Sequence, residues 1–290
     1  MSLWQQYYLP RTISEAIILL KTSPQPSSII AGGTDLMLDL NQGNHEPVFA
    51  LIDITEIDEL KKIEQIGNEI VIGACVTHNQ IVKNQLIQKN ADGVIEACGL
   101  IGGPQVRNSA TIGGNIAHAL PAADGTIGIL SLDARLEIAS EEGTRTVPMT
   151  EFFTGPGKSI LADKPEFLTK IFIPMKKSFQ GSAFKRVMRA QGIALPILNN
   201  SVWIEREGEK ISEIHIAIGP AGPVPFRAHH TEGLLKGQVY SEDLIAKAQS
   251  SILQEAKFRT SPRRATAEYR QQLITSLFKA TVIEAWNRTF

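Results

Sequence analysis

The sequence predicts an α+β chain: two mixed helix-and-strand modules, then an antiparallel sheet backed by helices. Three observations predict it. Helical and strand periodicities alternate over about the first ninety residues. Hairpin-like strands fill the middle of the chain, and from Ser241 onward the spacing of apolar residues is helical. A chain of 290 residues is too long for one simple core, which agrees with more than one module.

Taken in order, Thr12 and Glu15 form a T-x-x-E capping box, and Ile13, Ala16, Ile17 and Leu20 fall on one helical face. The turn "SPQPSS" leads to a short strand, Ile29–Ala31, which ends at a glycine pair. "PVFALIDI" and "EIVIGAC" read as strands, and Thr77 with Gln80 opens a helix running through Ile81. "ADGVIEACGLI" is helical; a Gly-Pro turn and a second glycine pair follow. "ARLEIAS" and "TRTVPM", joined by "EEG", predict a hairpin, and "EFLTKIFIPM" adds a strand that ends at a proline. "SAFKRVMR" and "SVWIEREGEKISEIHIAIG" continue as strands, the second folding back at Glu207–Gly208. Ser241 caps "EDLIAKAQSSILQEA". After the turn "RTSPRR", Leu273, Ile274, Leu277, Phe278, Thr281, Val282 and Ala285 mark a long final helix. The boundaries fall near residues 90 and 175, giving subdomains 1–90 and 91–175 and a C-terminal domain 176–290.

Composition narrows the chemistry. Hydrophobic residues make up 43% and charged residues 20%, the balance of a globular chain, and the net charge of −1 supplies no field to draw it to nucleic acid. No apolar run approaches a membrane span, and "MSLWQQYYLPRTISEA" lacks the pattern of a secretory signal, so the expected location is the cytoplasm. Cys75 and Cys98 are too few for an iron–sulfur cluster, and reduced thiols are expected. The six histidines show no metal-ligand spacing, so no metal site is expected. "GPGKS" at Gly155–Ser159 ends like a P-loop but has Phe152 where the first glycine belongs, which argues against ATP and leaves Lys158 as a loop residue.

The glycine pairs carry the most specific signal. "AGGTD" and "TIGGN" each place two glycines, a threonine hydroxyl and consecutive amides at the end of an apolar run. Glycine reaches positive φ freely and lets a ligand approach the backbone. Such loops hold phosphate oxygens on main-chain N–H groups without a basic side chain. Two of them could flank one diphosphate, although Gly-Gly is also ordinary turn punctuation. Neither matches the dinucleotide fingerprint G-x-G-x-x-G.

"AGGTDL" together with "PQVRNSATIGGNIAHALPAAD" resembles the FAD-binding medium subunit of the molybdenum hydroxylases, the family of xanthine, nicotinate and carbon monoxide dehydrogenases. "FFTGPGK", "EFLTKIFIP", "SAFKRVMR" and "SPRRATAEYR" extend the resemblance over nearly the whole chain, and it is strongest to the separate FAD subunit of bacterial xanthine dehydrogenases. It implies a PCMH-type FAD-binding domain followed by a carbon monoxide dehydrogenase flavoprotein C-terminal-like domain. Ser28, Ile29, Ile30, Ala31, Gly32, Gly33, Thr34, Asp35 and Leu36 then correspond to the first pyrophosphate-contacting loop. Thr111, Gly113, Gly114 and Asn115 correspond to the second. Asp124 matches a position on the adenosine side of FAD, and Leu168 an apolar residue against the ring system. Ile101 matches a residue beside the flavin, and Lys185 a lysine near the isoalloxazine carbonyl.

The resemblance also implies partners: a molybdenum-cofactor large subunit and a small subunit with two [2Fe–2S] clusters, assembled as a dimer of heterotrimers. Electrons would pass from the clusters through FAD to NAD, in xanthine or hypoxanthine oxidation within purine catabolism. No catalytic acid, base or nucleophile is called for in this chain. A nicotinate, other N-heterocycle, aldehyde or CO dehydrogenase subunit, or a flavin-free assembly subunit, are the alternatives. A stand-alone flavin oxidase would need its own acid or base, and no paired carboxylates or histidine cluster suggest one.

Overall fold

The computed structural model describes residues 2–162, 164–189, 195–262 and 264–290; Met1 of the N-terminal stretch and Arg263 of the "RTSPRR" turn lie outside them. The chain begins with strand β1 (Trp4–Tyr8), helix α1 (Ile13–Thr22), strand β2 (Ser27–Ile30), helix α2 (Leu36–Gln42) and strand β3 (Val48–Asp53). These strands form a parallel sheet in the order β1-β3-β2. The middle strand carries Ala50, Leu51 and Ile52 fully buried, as a strand covered on both faces requires. Thr12 caps α1 by accepting from the Glu15 amide at 3.1 Å, but the Glu15 carboxylate reaches back to the Arg11 amide at 2.8 Å, one residue before the expected partner. Helix α2 escapes sequence reading because it is short, has no side-chain cap and opens directly from the glycine pair; it stops at Gly43, whose φ of +72° suits a helix C-terminus.

The second sheet comprises β4 (Ile63–Ile66) and β5 (Glu69–Gly73) before a run of helices, and further strands after it. The helices are α3 (His78–Lys83), α4 (Gln85–Asn90), α5 (Asp92–Gly99), α6 (Pro104–Ser109), α7 (Ile112–Ala117) and α8 (Asp124–Leu130). Next come β6 (Arg135–Ser140), β7 (Gly143–Pro148), the two-stranded ribbon β8 (Phe153–Gly155) with β9 (Lys158–Ser159), and β10 (Phe167–Pro174). The order is β4-β5-β10-β6-β7, all antiparallel. β10 therefore joins strands from both sides of residue 90, and the changeover between sheets falls between β3 and β4 instead of at the expected boundary. The β6–β7 hairpin has Ser140 opposite Gly143, and the Thr77–Gln80 capping box closes reciprocally. Lys158 opens a two-residue strand instead of sitting in a loop, and it is exposed.

The C-terminal part is a second antiparallel sheet, β11 (Gln180–Met188), β12 (Pro196–Glu207), β13 (Lys210–Gly219) and β14 (Phe226–Arg227), in that order. Helices α9 (His229–Leu235), α10 (Glu242–Glu255) and α11 (Ala267–Asn287) follow. β12 and β13 turn at Gly208, where φ is +59°. Side chains alternate across β11. Phe184 packs into the core of the second sheet, whereas Ala183 and Val187 join the core built with α10 and α11. A Cβ on Gly181 would sit 2.3 Å from the Ala285 carbonyl oxygen, so only glycine lets α11 lie this close to the sheet.

Two polar ties hold the C-terminal sheet to the helices of the middle region. Arg227 is buried and donates to Glu232, to Asp133 and to the Leu130 carbonyl. The Ser182 hydroxyl accepts from the Gly93 amide at 3.1 Å, while the Glu96 carboxylate takes the Phe184 amide at 2.7 Å and Arg288 at 2.6 Å.

Candidate functional site

The fold brings the two glycine segments into backbone contact. Gly32 lies directly on the chain that leads into α7: a Cβ there would be 2.1 Å from the Ser109 carbonyl oxygen and 2.8 Å from Ala110 Cα. The Ser109 hydroxyl donates to the Gly32 carbonyl at 2.9 Å, tying the segments at that point. Gly33 adopts φ +67°, where a side chain is strained, and this turns the chain from β2 into α2. Gly113 is needed for a different reason, because a Cβ would be 2.5 Å from the Ala74 carbonyl oxygen, where α7 crosses the end of β5.

The two segments offer a ligand different things. The amides of Gly32, Gly33, Thr34, Asp35 and Leu36 have no hydrogen-bond partner among the described residues. Five consecutive free donors without a neighbouring cation in the loop are the donor set a diphosphate needs. In the second segment the amides are spoken for: Ile112 N–H binds Val76 O, Gly113 N–H binds Ala74 O and Asn115 N–H binds Thr111 O. Gly114 N–H donates to the Thr111 hydroxyl at 3.1 Å. Gly114 itself is exposed and lacks a side chain, so this segment offers close backbone approach more than a set of open amides. The symmetry suggested by the sequence is thus chemical at one side and steric at the other.

The Asn115 side-chain oxygen accepts from the Thr126 amide at 2.9 Å and so locks α7 to α8. His118, at the end of α7, lies 3.7 Å from Asp35 and 3.4 Å from Asp39, one residue before and three residues into α2. The nearby Asp35 carboxylate raises the His118 pKa against the opposing effect of burial, and His118 in turn lowers Asp35. This clasp spans both segments, and "HAL" beyond the glycine pair gave no spacing signal for it.

Asp124 starts α8 and is 4% exposed. Arg186 donates to one carboxylate oxygen and Asn199 Nδ2 to the other, the latter at 2.6 Å. Burial pushes the Asp124 carboxyl up, against the pull of Arg186 and Asn199. Arg186 was not singled out by sequence, although it adjoins Lys185 in "AFKRV"; the alternation of β11 gives the inward face to Arg186 and the opposite face to Lys185. Lys185 is half-exposed opposite Asn200. Leu168 is 3% exposed in β10, in the core of the second sheet. Ile101 is half-buried, its carbonyl held by Arg107 at 3.0 Å. Ser28, Ile29 and Ile30 form the end of β2 and lead into Ala31 and the free amides. Thus Gly32 to Leu36 and Thr111 to Asn115 converge, Asp124 reaches them through α7 and α8, and Leu168 and Lys185 stand on separate strands.

Other sites are poorer candidates. A groove of about 540 Å³ is lined by Lys61, Thr77, Gln80, Lys83 and Asn108 among others, and contains neither glycine segment. Among the described residues, no group of three or more His, Cys, Asp or Glu could hold a metal ion. Cys75 and Cys98 are buried free thiols, and burial raises Cys75 to about 12, far from a reactive thiolate. Among the described residues, no helix is long and apolar enough to cross a membrane.

Known proteins share both halves of this chain. Residues 3–176 match the FAD binding domain in molybdopterin dehydrogenase, and residues 182–285 the CO dehydrogenase flavoprotein C-terminal domain. The chain is 33% identical over 281 residues to the xanthine dehydrogenase FAD-binding subunit of Escherichia coli O157:H7, covering 96% of this chain and 95% of the relative. It is 28% identical to the nicotinate dehydrogenase FAD-subunit of Eubacterium barkeri, covering 96% and 95%. Among solved structures, carbon monoxide dehydrogenase from Hydrogenophaga pseudoflava superposes with a TM-score of 0.93 at 28% identity, covering 98% of each chain. The free amides before α2 fit the cofactor that these matches name. The chain therefore belongs to the FAD-binding subunits of the molybdenum hydroxylase family, and its cofactor is FAD.

Proposed function

We propose that this chain is the FAD-carrying electron-transfer subunit of a xanthine- or hypoxanthine-oxidising molybdenum hydroxylase. Its partners are a molybdenum-cofactor large subunit and a small subunit bearing two [2Fe–2S] clusters, and NAD is its electron acceptor. Bound FAD supplies a group that exchanges electrons singly or in pairs. The observation that carries the assignment is the meeting of the two glycine segments, with the free Gly32–Leu36 amides on one side and bare backbone at Gly114 on the other. The diphosphate is held there by main-chain donors, with Ser28–Ala31 fixing the approach of the loop.

The remaining roles belong to side chains. Leu168 and Ile101 supply apolar contact to the ring system, Lys185 a positive charge near its carbonyl, and Asp124 a fixed polar wall on the adenosine side. Asp124 is held there by Arg186 and Asn199, so it shapes the site instead of transferring a proton. The preference for xanthine rests on identity to the Escherichia coli subunit, slightly above that to the nicotinate subunit. The domains are proposed as residues 1–175 for FAD and 176–290 as the C-terminal cover.

The test is to copurify the chain with its partners and assay the complex with hypoxanthine and NAD⁺. Reduction of NAD⁺ with hypoxanthine supports the full assignment. A yellow complex that leaves hypoxanthine untouched but turns over nicotinate or an aldehyde keeps the FAD role and replaces the substrate.

A further inference from the structure

His78 is the first residue of α3, behind the place where the two segments meet. Its amide donates to the Ala110 carbonyl at 3.1 Å, which fixes the residue against the second segment. A Cβ on Gly125 would lie 3.4 Å from His78 Cε1 and 3.0 Å from the Asn115 side-chain oxygen, so α8 covers one edge of the ring. The charged groups acting on the ring are Asp35, from the first segment, and Arg107, from α6. The side chain is 1% exposed, yet neither Nδ1 nor Nε2 has a hydrogen-bond partner.

An imidazole in this position is anomalous. Burial lowers its pKa to about 4, so near neutral pH the ring is uncharged, with one N–H donor and one bare acceptor. Buried polar groups are nearly always paired, and each exception calls for an explanation. A ring kept only to fill space would be better served by leucine or phenylalanine. Both glycine segments bear on this ring: Asp35 acts on its charge, and Gly125, at the ring's edge, also abuts the Asn115 side-chain oxygen.

We propose that His78 is a cofactor-binding residue whose ring N–H donates to the diphosphate of FAD when the cofactor is bound. The inference rests on the placement of that diphosphate between the glycine segments. Both ring nitrogens are buried, so donation to the diphosphate requires the residues around the ring to give way to the cofactor. His78 thereby supplies a side-chain donor on the side where the second segment's own amides are already used.

The test compares His78→Leu and His78→Gln with the unaltered full-length chain, measuring FAD affinity by flavin fluorescence and the melting temperature without FAD. His78→Leu is expected to weaken FAD binding by roughly ten- to a hundredfold, the loss typical of one hydrogen bond to a charged group, without lowering the ligand-free melting temperature. His78→Gln, which keeps an N–H donor, recovers part of that affinity. Unchanged affinity in His78→Leu overturns the proposal and leaves the ring a space-filler. Should His78→Leu fail to fold, the ring nitrogens of the unaltered protein are followed by ¹⁵N NMR during FAD addition: a shift of the His78 signals supports the proposal and its absence overturns it. Failure of the diphosphate placement is recognised separately, because Gly114→Asp would then retain FAD whatever His78 does.

Discussion

Gly32→Ala is the sharpest probe of how the site is built. The added methyl carbon would sit 2.1 Å from the Ser109 carbonyl oxygen and 2.8 Å from Ala110 Cα, and both are backbone atoms that cannot rotate away. Relieving the contact requires the segments to separate by about 1 Å, which stretches the 2.9 Å bond from Ser109 to the Gly32 carbonyl beyond hydrogen-bonding range. Overpacking of this kind costs about 1–3 kcal/mol, and a rigid backbone neighbour places Gly32→Ala at the upper end. At roughly 2–4 °C per kcal/mol for a chain of about this size, the melting temperature falls by about 6–12 °C. FAD binding weakens at least about tenfold, as one contact to a charged phosphate is lost. Gly114→Ala is the comparison for stability alone: its Cβ would lie 3.1 Å from the Thr111 hydroxyl, a side-chain atom on an exposed helical turn, so its melting temperature falls less than that of Gly32→Ala. Scanning calorimetry and flavin fluorescence titration read both quantities. A Gly32→Ala protein that melts and binds FAD like the parent would refute the backbone contact between the segments.

Three further outcomes follow from other parts of the structure. Gly114→Asp places a carboxylate at the exposed backbone of the second segment; the protein folds with a near-parental melting temperature and purifies colourless, read by absorbance near the flavin band. Arg186→Met leaves the buried Asp124 carboxylate without its cation and destabilises by about 3–5 kcal/mol, whereas adding Asp124→Asn recovers much of the loss, both measured by denaturant unfolding. The His118 clasp has a pH signature. Because the folded pKa of His118 lies above its ordinary 6.5, its contribution is complete below about pH 6.5 and is lost as pH rises through the folded value. Asp35 is lowered from 3.8, so its share is present above that pH and lost as pH falls through its folded value. With Asp35 about half exposed, the clasp contributes no more than about 1 kcal/mol, and His118→Ala removes that part of the melting-temperature profile between acid and neutral pH.

The sequence carried much of this fold because its signals were local. Thr77 and Gln80 close their capping box within one helical turn, and the "EEG" turn sets the β6–β7 register with Ser140 opposite Gly143. What it hid depends on distance. β10 joins β5 and β6 across a long stretch of helices, so no local pattern could place the sheet boundary. Helices α2, α6 and α7 are only one or two turns long, and α6 and α7 begin at a proline or a glycine pair, so helical periodicity cannot register there. The glycine pairs marked where two segments meet because a glycine needed for close approach leaves its mark in sequence. Their unequal hydrogen bonding was not legible, since it depends on Val76 and Ala74 accepting from the second segment. Arg186 was missed for a related reason: "KR" names two cations, and only strand alternation decides which of them meets Asp124.

Hydrogen–deuterium exchange of the chain with and without FAD tests the central claim most directly. Binding between the glycine segments predicts strong new protection at the Gly32–Leu36 amides, smaller changes at Thr111–Asn115 where the amides are already bonded, and none around Lys61 and Lys83 in the separate groove. Protection confined to that groove, with Gly32–Leu36 exchanging as before, would contradict the account.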